Sequence, residues 1–191
     1  MPRIIRGNTL SEVAIIIPQV FYDERGHFFE SFSNEWFRNN VSDTTFIQDN
    51  ESFSIKHVAR GLHYQLPPYA QSKLVRVVKG EVYDYAVDIR KGSPTFGKYE
   101  CVHLTEHNHH QFFIPRGFAH GFIALTDDVI FQYKVDNPYN KESERSILFT
   151  DPEFDFFGGN LDIILSEKDK VALPLSETND CDLFDYNKHL Y

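Results

Sequence analysis

The sequence predicts an all-β protein, a sandwich or barrel of many short strands with a few short helices. Three observations lead to this class. Short segments with period-two alternation recur along the chain, turn residues separate them, and helix signals occur in only two places. A small barrel of this kind has an interior mouth that can hold one ligand.

The clearest strand pattern covers residues 82–89, where alternation places every second residue from Tyr83 to Ile89 on one face. Gly80 precedes this segment and predicts a turn after the apolar run at 74–78. We predict the other strands at residues 28–32, 46–55, 61–65, 99–104, 111–114, 118–125, 129–135 and 146–149. Turns are expected at 66–68, 91–94 and 126–128.

Helix signals are confined to two short segments. Ser33 or Asn34 can cap a helix that continues through Phe37, and Ser166 can open a second turn that contains Asp169. Neither segment is long enough to change the fold class.

Length and composition favour one domain over residues 1–191, with the segment 176–191 as a C-terminal tail. The chain has 19 Lys and Arg against 28 Asp and Glu, and hence a net charge of −9. This balance argues against nucleic acid as a partner, because phosphate binding needs a basic face, but it permits a local basic pocket.

Two further absences bear on location. Cys101 and Cys181 lie far apart without zinc-ribbon spacing, which favours a reducing compartment, and we expect the cytoplasm. No segment approaches the roughly 18 apolar residues of a membrane span, so we expect no membrane association.

Two histidine motifs suggest a metal-binding cupin that has lost its metal. Pro115, Gly117 and His120 fit the second cupin motif, P-x-G-x-x-H. The first motif fails, since Gln65 stands where a second histidine belongs and the carboxylate region contains Lys73. An ammonium group would repel a divalent cation. We therefore expect no metal.

His63 and Lys73 together match another chemistry, proton removal next to a carbonyl group. A histidine near neutral pKa suits the base, and a cation suits the developing enolate oxygen. A carboxylate would orient the imidazole, and the candidates are Asp84, Asp88 and Asp169. Tyr133 is either a core residue or the acid that returns a proton.

Other interpretations stay open at this level. A histidine within a strand is commonly a hydrogen-bonded core residue, which applies to His63 and to His120. A metal-dependent dioxygenase could use both histidines with a third from the run at 107–110. A barrel that binds a sugar without catalysis is a further alternative.

Eight motifs in order resemble the dTDP-4-dehydrorhamnose 3,5-epimerase family. They include Arg-Gly-Leu-His-x-Gln at 60–65 and Leu-Ser-x-Lys-Asp at 165–169. The others lie at residues 23–30, 48–52, 71–75, 86–90, 93–97 and 115–122. The resemblance extends from about Val13 to Leu175.

The resemblance implies a cupin-like jelly-roll barrel that needs no metal or cofactor. It implies a homodimer in which an N-terminal strand is exchanged. By this resemblance His63 is the base, Asp169 orients it, Lys73 stabilises the enolate and Tyr133 reprotonates the opposite face. The implied reaction is 3,5-epimerisation of dTDP-4-dehydro-6-deoxy-D-glucose in dTDP-L-rhamnose biosynthesis.

Substrate-binding roles follow from the same resemblance. Arg60 would pair with the diphosphate, where a planar bidentate donor suits phosphate oxygens. Further contacts to nucleotide, phosphate or sugar are implied for Arg25 and Glu30 of the partner, and for Gln48, Asn50, His120, Phe122 and Tyr139.

The chain departs from the family pattern at two places. Pro138 precedes Tyr139, so one ring of an aromatic pair is missing, and residues 155–159 lack the usual Trp-Pro pair. These departures leave open which nucleotide base and which sugar the substrate contains. The alternatives are a 3- or 5-monoepimerase, or an epimerase of another nucleotide-linked 4-keto-deoxy sugar.

Overall fold

The computed structural model describes residues 1–156 and 162–191, which are mostly β-structure. In chain order the strands are β1 (Arg3–Arg6), β2 (Ala14–Ile17), β3 (Phe21–Asp23), β4 (Gly26–Phe28), β5 (Gln48–Ser54), β6 (Ala59–Gln65), β7 (Lys73–Lys79), β8 (Glu81–Asp88), β9 (Arg90–Lys91), β10 (Tyr99–Thr105), β11 (Gln111–Ile114), β12 (Phe118–Ala124), β13 (Val129–Val135), β14 (Glu144–Ser146) and β15 (Phe184–Asp185).

Two short α-helices form where capping residues occur in the sequence. Ser33 caps α1 (Asn34–Asn40) by accepting a hydrogen bond from the Trp36 amide, and Ser166 caps α2 (Glu167–Lys170) through the Asp169 amide. Single 3₁₀ turns follow at Leu175–Glu177 and Asp180–Asp182. No helix in the described ranges is both long and apolar enough to cross a membrane.

Two antiparallel sheets make up the body of the fold. The six-stranded sheet has the order β1-β2-β11-β7-β13-β5, and the five-stranded sheet has the order β10-β8-β12-β6-β14. Together they confirm the predicted all-β, cupin-like jelly-roll class, although the sheets do not join into a closed barrel. The pairs β3–β4 and β9–β15 lie outside both sheets.

Alternation along the strands sends one set of apolar side chains between the sheets and a second set outward. The inner cluster contains Val75, Val82, Phe112 and Phe131, among other buried residues. The outer face of the six-stranded sheet is covered by α1, where Phe37 packs edge-on against Phe113 with 5.2 Å between ring centroids.

The outer face of the five-stranded sheet is covered by the C-terminal part of the chain. The predicted face of β8 and the residue after it is confirmed for Tyr85, Val87 and Ile89, which lie in one buried cluster with Leu175 and Phe184. Tyr83, at the start of the same face, is more exposed. As a result, β8 is buried on both faces from Asp84 to Asp88.

Two strand predictions need correction, and some short strands were not predicted. Residues 28–32 were expected as a strand, but the strand is Gly26–Phe28, because Phe32 turns inward against Phe37. The strand expected at 146–149 is Glu144–Ser146. The sequence patterns also missed β1 and β2, which are only four residues long and pair with each other.

Candidate active site

A cavity of about 440 Å³ opens where the two sheets and the segment before α2 meet. All four residues predicted as catalytic line it, as do three of the eight predicted for substrate binding. The lining residues are Ser52, Val58, Ala59, Arg60, His63, Lys73, His120, Phe122, Phe131, Tyr133, Ile164, Leu165, Ser166, Lys168 and Asp169.

Two glycines bring β6 and β12 close together beside this cavity. A Cβ atom on Gly61 would lie 2.5 Å from Gly121 Cα, and one on Gly121 would lie 2.7 Å from the Arg60 carbonyl oxygen. Gly61 also has φ +125°, a conformation that favours glycine. This contact lies beside the paired residues His63 and His120, which face each other across the two strands.

His63 and Asp169 form a hydrogen-bonded pair at the mouth of the cavity. His63 Nε2 lies 2.6 Å from Asp169 Oδ1, and the imidazole is 32% exposed while the carboxylate is 4% exposed. Burial raises the pKa of Asp169, but the hydrogen bond and charge of His63 outweigh it and lower the pKa below its usual value.

The protonation pattern of this pair follows from the ionised carboxylate. Asp169 accepts the Nε2–H hydrogen bond, which leaves His63 Nδ1 as the nitrogen with a free lone pair. Nδ1 has no hydrogen-bond partner among the side chains and backbone that the structure describes. The ring is thus oriented to accept a proton at Nδ1.

The structure distinguishes the three carboxylates that the sequence left open. Asp84 contacts His120, with both oxygens 3.0 Å from Nε2. Asp88 is held by Arg90 at 2.8 Å and by Ser93. Only Asp169, of these three, contacts His63.

Asp84 and His120 form a second histidine–aspartate pair, deeper than the first, which the sequence had not predicted as a pair. Both residues are buried. Burial raises the pKa of Asp84, and the charges of His120 and Lys73 oppose this rise. Burial also lowers the pKa of His120, so its imidazole favours the neutral form.

Lys73 places a buried ammonium group in the cavity wall. Its Nζ lies 3.3 Å from the His63 carbonyl oxygen. Burial lowers the pKa of Lys73 to about 8, although the negative charges of Asp84 and Glu144 favour the protonated form. A cation in this dry wall can stabilise an oxyanion strongly.

Tyr133 faces the cavity from the opposite sheet to His63. It lies on β13 of the six-stranded sheet, whereas His63 lies on β6 of the five-stranded sheet. Burial raises the pKa of Tyr133 above its usual value, so the phenol keeps its proton at neutral pH. The cavity therefore has an imidazole that can accept a proton on one wall and a phenol that can donate one on the other.

The predicted binding residues divide between the cavity and its surroundings. Arg60 and Phe122 line it, with Arg60 held by Ser54 Oγ at 3.0 Å and the Phe53 carbonyl at 2.9 Å. Asn50 lines a neighbouring cavity of about 280 Å³ that shares Tyr133. Gln48 donates to the side chain of Asn50 at 2.8 Å.

Three more predicted binding residues line neither of these two cavities in their own chain. Arg25 lies exposed on the hairpin of β3 and β4, where it pairs with Asp23 at 2.6 Å. Glu30 is exposed beside α1. Tyr139 is also exposed, and its hydroxyl donates to Glu144 at 3.0 Å. The segment at 155–159, whose sequence departs from the family, lies outside the described residues from Phe157 onward.

Sequence reasoning missed two polar residues of the cavity wall. Lys168 adds a second cation and forms an ion pair with Glu144 at 2.6 Å. Ser52 Oγ is the one buried side-chain polar atom in the described ranges without a hydrogen-bond partner. Both residues lie inside motifs at 48–52 and 165–169, which was the available signal.

The metal interpretation requires three ligands in one place. Within residues 1–156 and 162–191, no group of three or more His, Cys, Asp or Glu side chains is arranged to hold a metal ion. The run from His107 to His110 lies between β10 and β11, outside the cavity lining.

The fold and the site define a class: a jelly-roll protein with a histidine–aspartate base, a buried lysine and a facing tyrosine around one cavity. A family model described as dTDP-4-dehydrorhamnose 3,5-epimerase matches residues 8–177. The chain belongs to the dTDP-4-dehydrorhamnose 3,5-epimerase family.

Individual relatives agree with this assignment. The dTDP-4-dehydrorhamnose 3,5-epimerase of Shigella flexneri is 52% identical over 161 residues, which cover 84% of this chain and 89% of the relative. A dTDP-6-deoxy-D-glucose-3,5-epimerase from Legionella pneumophila Philadelphia 1, solved with dTDP-4-keto-L-rhamnose, is 43% identical with a TM-score of 0.92. The match covers 98% of this chain and 100% of the chain in that structure.

A structural relative with a narrower activity is also similar. A 3′-monoepimerase from Streptomyces bikiniensis, solved with dTDP-quinovose, is 28% identical and has a TM-score of 0.89. The match covers 95% of this chain and 93% of that structure. Overall similarity of fold therefore extends to both single and double epimerases.

Proposed function

We propose that this protein is a sugar-nucleotide isomerase that converts dTDP-4-dehydro-6-deoxy-D-glucose to dTDP-4-dehydro-L-rhamnose by epimerisation at carbons 3 and 5. This is a step of dTDP-L-rhamnose biosynthesis. The observation that carries the proposal is the His63–Asp169 pair and Tyr133 on opposite walls of one cavity, which Lys73 also lines from β7, the neighbour of the Tyr133 strand. Family membership supports the same reaction.

Proton removal uses His63. The 4-keto group acidifies the hydrogens at carbons 3 and 5, and His63 Nδ1 takes one of them while its Nε2–H stays bonded to Asp169. The electron pair of the broken C–H bond moves onto the ketone oxygen as an enolate. The ionised Asp169 stabilises the imidazolium that forms.

Lys73 and Tyr133 complete the inversion. The Lys73 ammonium group stabilises the enolate oxygen, and the Tyr133 hydroxyl gives its proton to the opposite face of the same carbon. The configuration at that carbon is thereby inverted. Proton exchange with solvent restores neutral His63 and protonated Tyr133, and the same groups then act on the second carbon.

The diphosphate has cationic partners in the same wall. Arg60 offers a planar donor and Lys168 a point charge, and both line the cavity. The unpartnered Ser52 hydroxyl is a further donor for a substrate oxygen. We propose Asn50, Gln48, His120, Phe122 and Tyr139 as additional contacts to the nucleotide or the sugar.

We propose a homodimer in which the hairpin of β3 and β4, with Arg25, and the segment just after it, with Glu30, reach the partner's site. Two features support this arrangement. The hairpin belongs to neither main sheet, and its side chains Phe21, Tyr22 and Phe28 are exposed. Arg25 also lies outside the cavity of its own chain, which suits a residue that serves a second site.

The alternative is epimerisation at one carbon, or of another nucleotide-linked 4-keto-deoxy sugar. It is favoured by the similarity to the 3′-monoepimerase and by the single aromatic residue at Tyr139.

We propose further that residues 1–191 act as one domain. We propose the cytoplasm as its location, which suits two free cysteines, Cys101 and Cys181.

Product identification tests the proposed reaction. Purified protein is incubated with dTDP-4-dehydro-6-deoxy-D-glucose, the keto product is reduced with borohydride, and the sugar is identified by NMR. Because borohydride reduces the 4-keto group from either face, the proposal expects two sugars: L-rhamnose and its epimer at carbon 4. Inversion at one carbon would replace the proposal with the alternative, and unchanged sugar would contradict both.

A further inference from the structure

The C-terminal residues 178–191 lie beyond the segment that matches the family model, yet they pack tightly against the body of the fold. β15 pairs with β9, and Phe184 is buried among the outer residues of the five-stranded sheet. Beyond β15, Tyr191 reaches Ser72, which directly precedes the buried Lys73. The tail thus ends beside an active-site strand.

Four residues form a polar cluster at this point, which we call the Asp136 cluster: Ser72, Arg116, Asp136 and Tyr191. Asp136 Oδ1 accepts a hydrogen bond from the Ser72 amide at 2.6 Å, and Oδ2 lies 3.1 Å from Arg116 Nη2. The Tyr191 hydroxyl lies 3.1 Å from Ser72 Oγ. The Arg116 guanidinium stacks on the Tyr191 ring at 4.9 Å.

The cluster joins the ends of three strands that carry active-site residues. Ser72 directly precedes β7, which starts at Lys73. Arg116 precedes β12, which carries His120, and Asp136 follows β13, which carries Tyr133. Lys73 pairs with Val135, the neighbour of Asp136, in the sheet. A displacement of the Asp136 cluster would therefore move Lys73 relative to His120 and Tyr133.

Lys73 depends on this backbone because little else holds its ammonium group. The one hydrogen bond of Nζ to a described residue is the long contact of 3.3 Å to the His63 carbonyl. By contrast, Ser72 is fully buried and Asp136 nearly so. The Arg116 and Asp136 side chains are only 15% and 4% exposed, which strengthens their ion pair. Arg116 is held further by the tail, because its Nη1 donates to the Leu190 carbonyl at 2.6 Å and its guanidinium lies over the Tyr191 ring.

We propose that Arg116, Asp136 and Tyr191 are positioning residues, which fix the start of β7 so that the Lys73 ammonium group meets the enolate oxygen. This inference rests on the proposed function, in which Lys73 acts on the enolate. The C-terminal tail then contributes to catalysis through Lys73 without touching the substrate.

The test compares Tyr191→Ala and Tyr191→Phe with a matched control, Tyr186→Ala. Tyr186 belongs to the same tail and also stacks on an arginine, Arg90, at 5.1 Å, but it does not touch Ser72. We expect Tyr191→Ala to lower kcat about tenfold with KM unchanged. This loss is smaller than the roughly 100-fold loss that follows when a catalytic group is misplaced by about 1 Å. Tyr191→Phe loses less, and Tyr186→Ala keeps the wild-type kcat.

Two further readouts separate positioning from simple destabilisation. Asp136→Asn, which keeps an acceptor for the Ser72 amide but removes the ion pair, is expected to lower kcat with KM unchanged while thermal unfolding shows a folded protein. In Tyr191→Ala the alkaline limb of the pH–kcat profile is expected to move to higher pH, because Lys73 becomes better solvated. Loss of folded protein alone would lower the apparent kcat by the same factor at every pH and would leave the alkaline limb where it is.

The inference is overturned if Tyr191→Ala and Asp136→Asn match the control in kcat and in the pH profile. Its failure differs from failure of the proposed function, in which the wild-type protein itself would not turn over the sugar. Acetylation of Lys73 by acetic anhydride, followed by mass spectrometry across pH, needs no substrate. A Lys73 reactivity profile that is identical in wild type and Tyr191→Ala would contradict the positioning role in either case.

Discussion

Asp169 Oδ1 lies 2.6 Å from His63 Nε2, and this contact joins the four-residue helix α2 to strand β6. The Ser166 cap accepts from the Asp169 amide at 3.1 Å and so sets the position of the carboxylate. The pair holds the imidazole with Nδ1 free. The orientation of the proposed base thus depends on a short capped turn.

Asp169→Asn is expected to lower kcat about 100-fold or more while leaving the fold intact. The amide can donate to Nε2, which favours the imidazole tautomer with its proton on Nδ1 and removes the base. Steady-state kinetics measures the loss. Glu167→Gln, an exposed change in the same helix, serves as the control and keeps wild-type kcat. A wild-type kcat in Asp169→Asn would remove Asp169 from the mechanism.

The pH profile should report Lys73. Its pKa is lowered to about 8 by burial, and only the protonated ammonium stabilises the enolate. The contribution of Lys73 to activity is therefore full well below this pKa and is lost as the pH rises through about 8. Measurement of kcat between about pH 6 and pH 10 checks this limb. A profile that stays flat across pH 8 would contradict the role of Lys73.

Tyr133→Phe is expected to separate proton exchange from inversion. The base and Lys73 remain, so hydrogens next to the ketone still exchange with solvent, but no phenol protonates the opposite face. NMR in deuterated water measures both events in one sample. Tyr83→Phe, a change outside the cavity, is the control. Inversion at the wild-type rate in Tyr133→Phe would show that another group is the acid.

Gly121→Ala is expected to lower the free energy of unfolding by about 1–3 kcal/mol and to reduce activity. The new Cβ would lie 2.7 Å from the Arg60 carbonyl and 3.1 Å from Gly61 Cα, which forces β6 and β12 apart beside His63. Urea unfolding and kcat measure the two effects.

Gly92→Ala is the matched control for this prediction. Gly92 has φ +84° but nothing within 4 Å of its added Cβ, so its cost comes from backbone strain alone, about 1–2 kcal/mol. We expect it to keep wild-type kcat. If both variants kept full activity, close approach of the two strands would not be required for the site.

The chemistry was more predictable from the sequence than the pairing of its residues. His63 and Lys73 lie ten residues apart in one polar region, and their residue types alone indicate a base and a cation. Asp169 is 106 residues from His63, so local pattern could not select it over Asp84 or Asp88. The family resemblance made that selection, and the contact with His63 agrees with it.

The fold shows the same division between local and long-range information. Alternation in β8 predicted its outward face, because periodicity is a local property. The edge strand β1 and its neighbour β2 were missed, since four residues carry too little pattern and their pairing is set by tertiary contacts. The Asp84–His120 pair likewise required the register of β8 and β12.

The most direct test of the central claim is deuterium incorporation by the wild-type protein and by His63→Ala. Each is incubated with dTDP-4-dehydro-6-deoxy-D-glucose in deuterated water, and carbons 3 and 5 are followed by NMR. The wild-type protein is expected to introduce deuterium at both carbons, and His63→Ala at neither. Absence of exchange in the wild type, or undiminished exchange in His63→Ala, would contradict the account of an epimerase with His63 as its base.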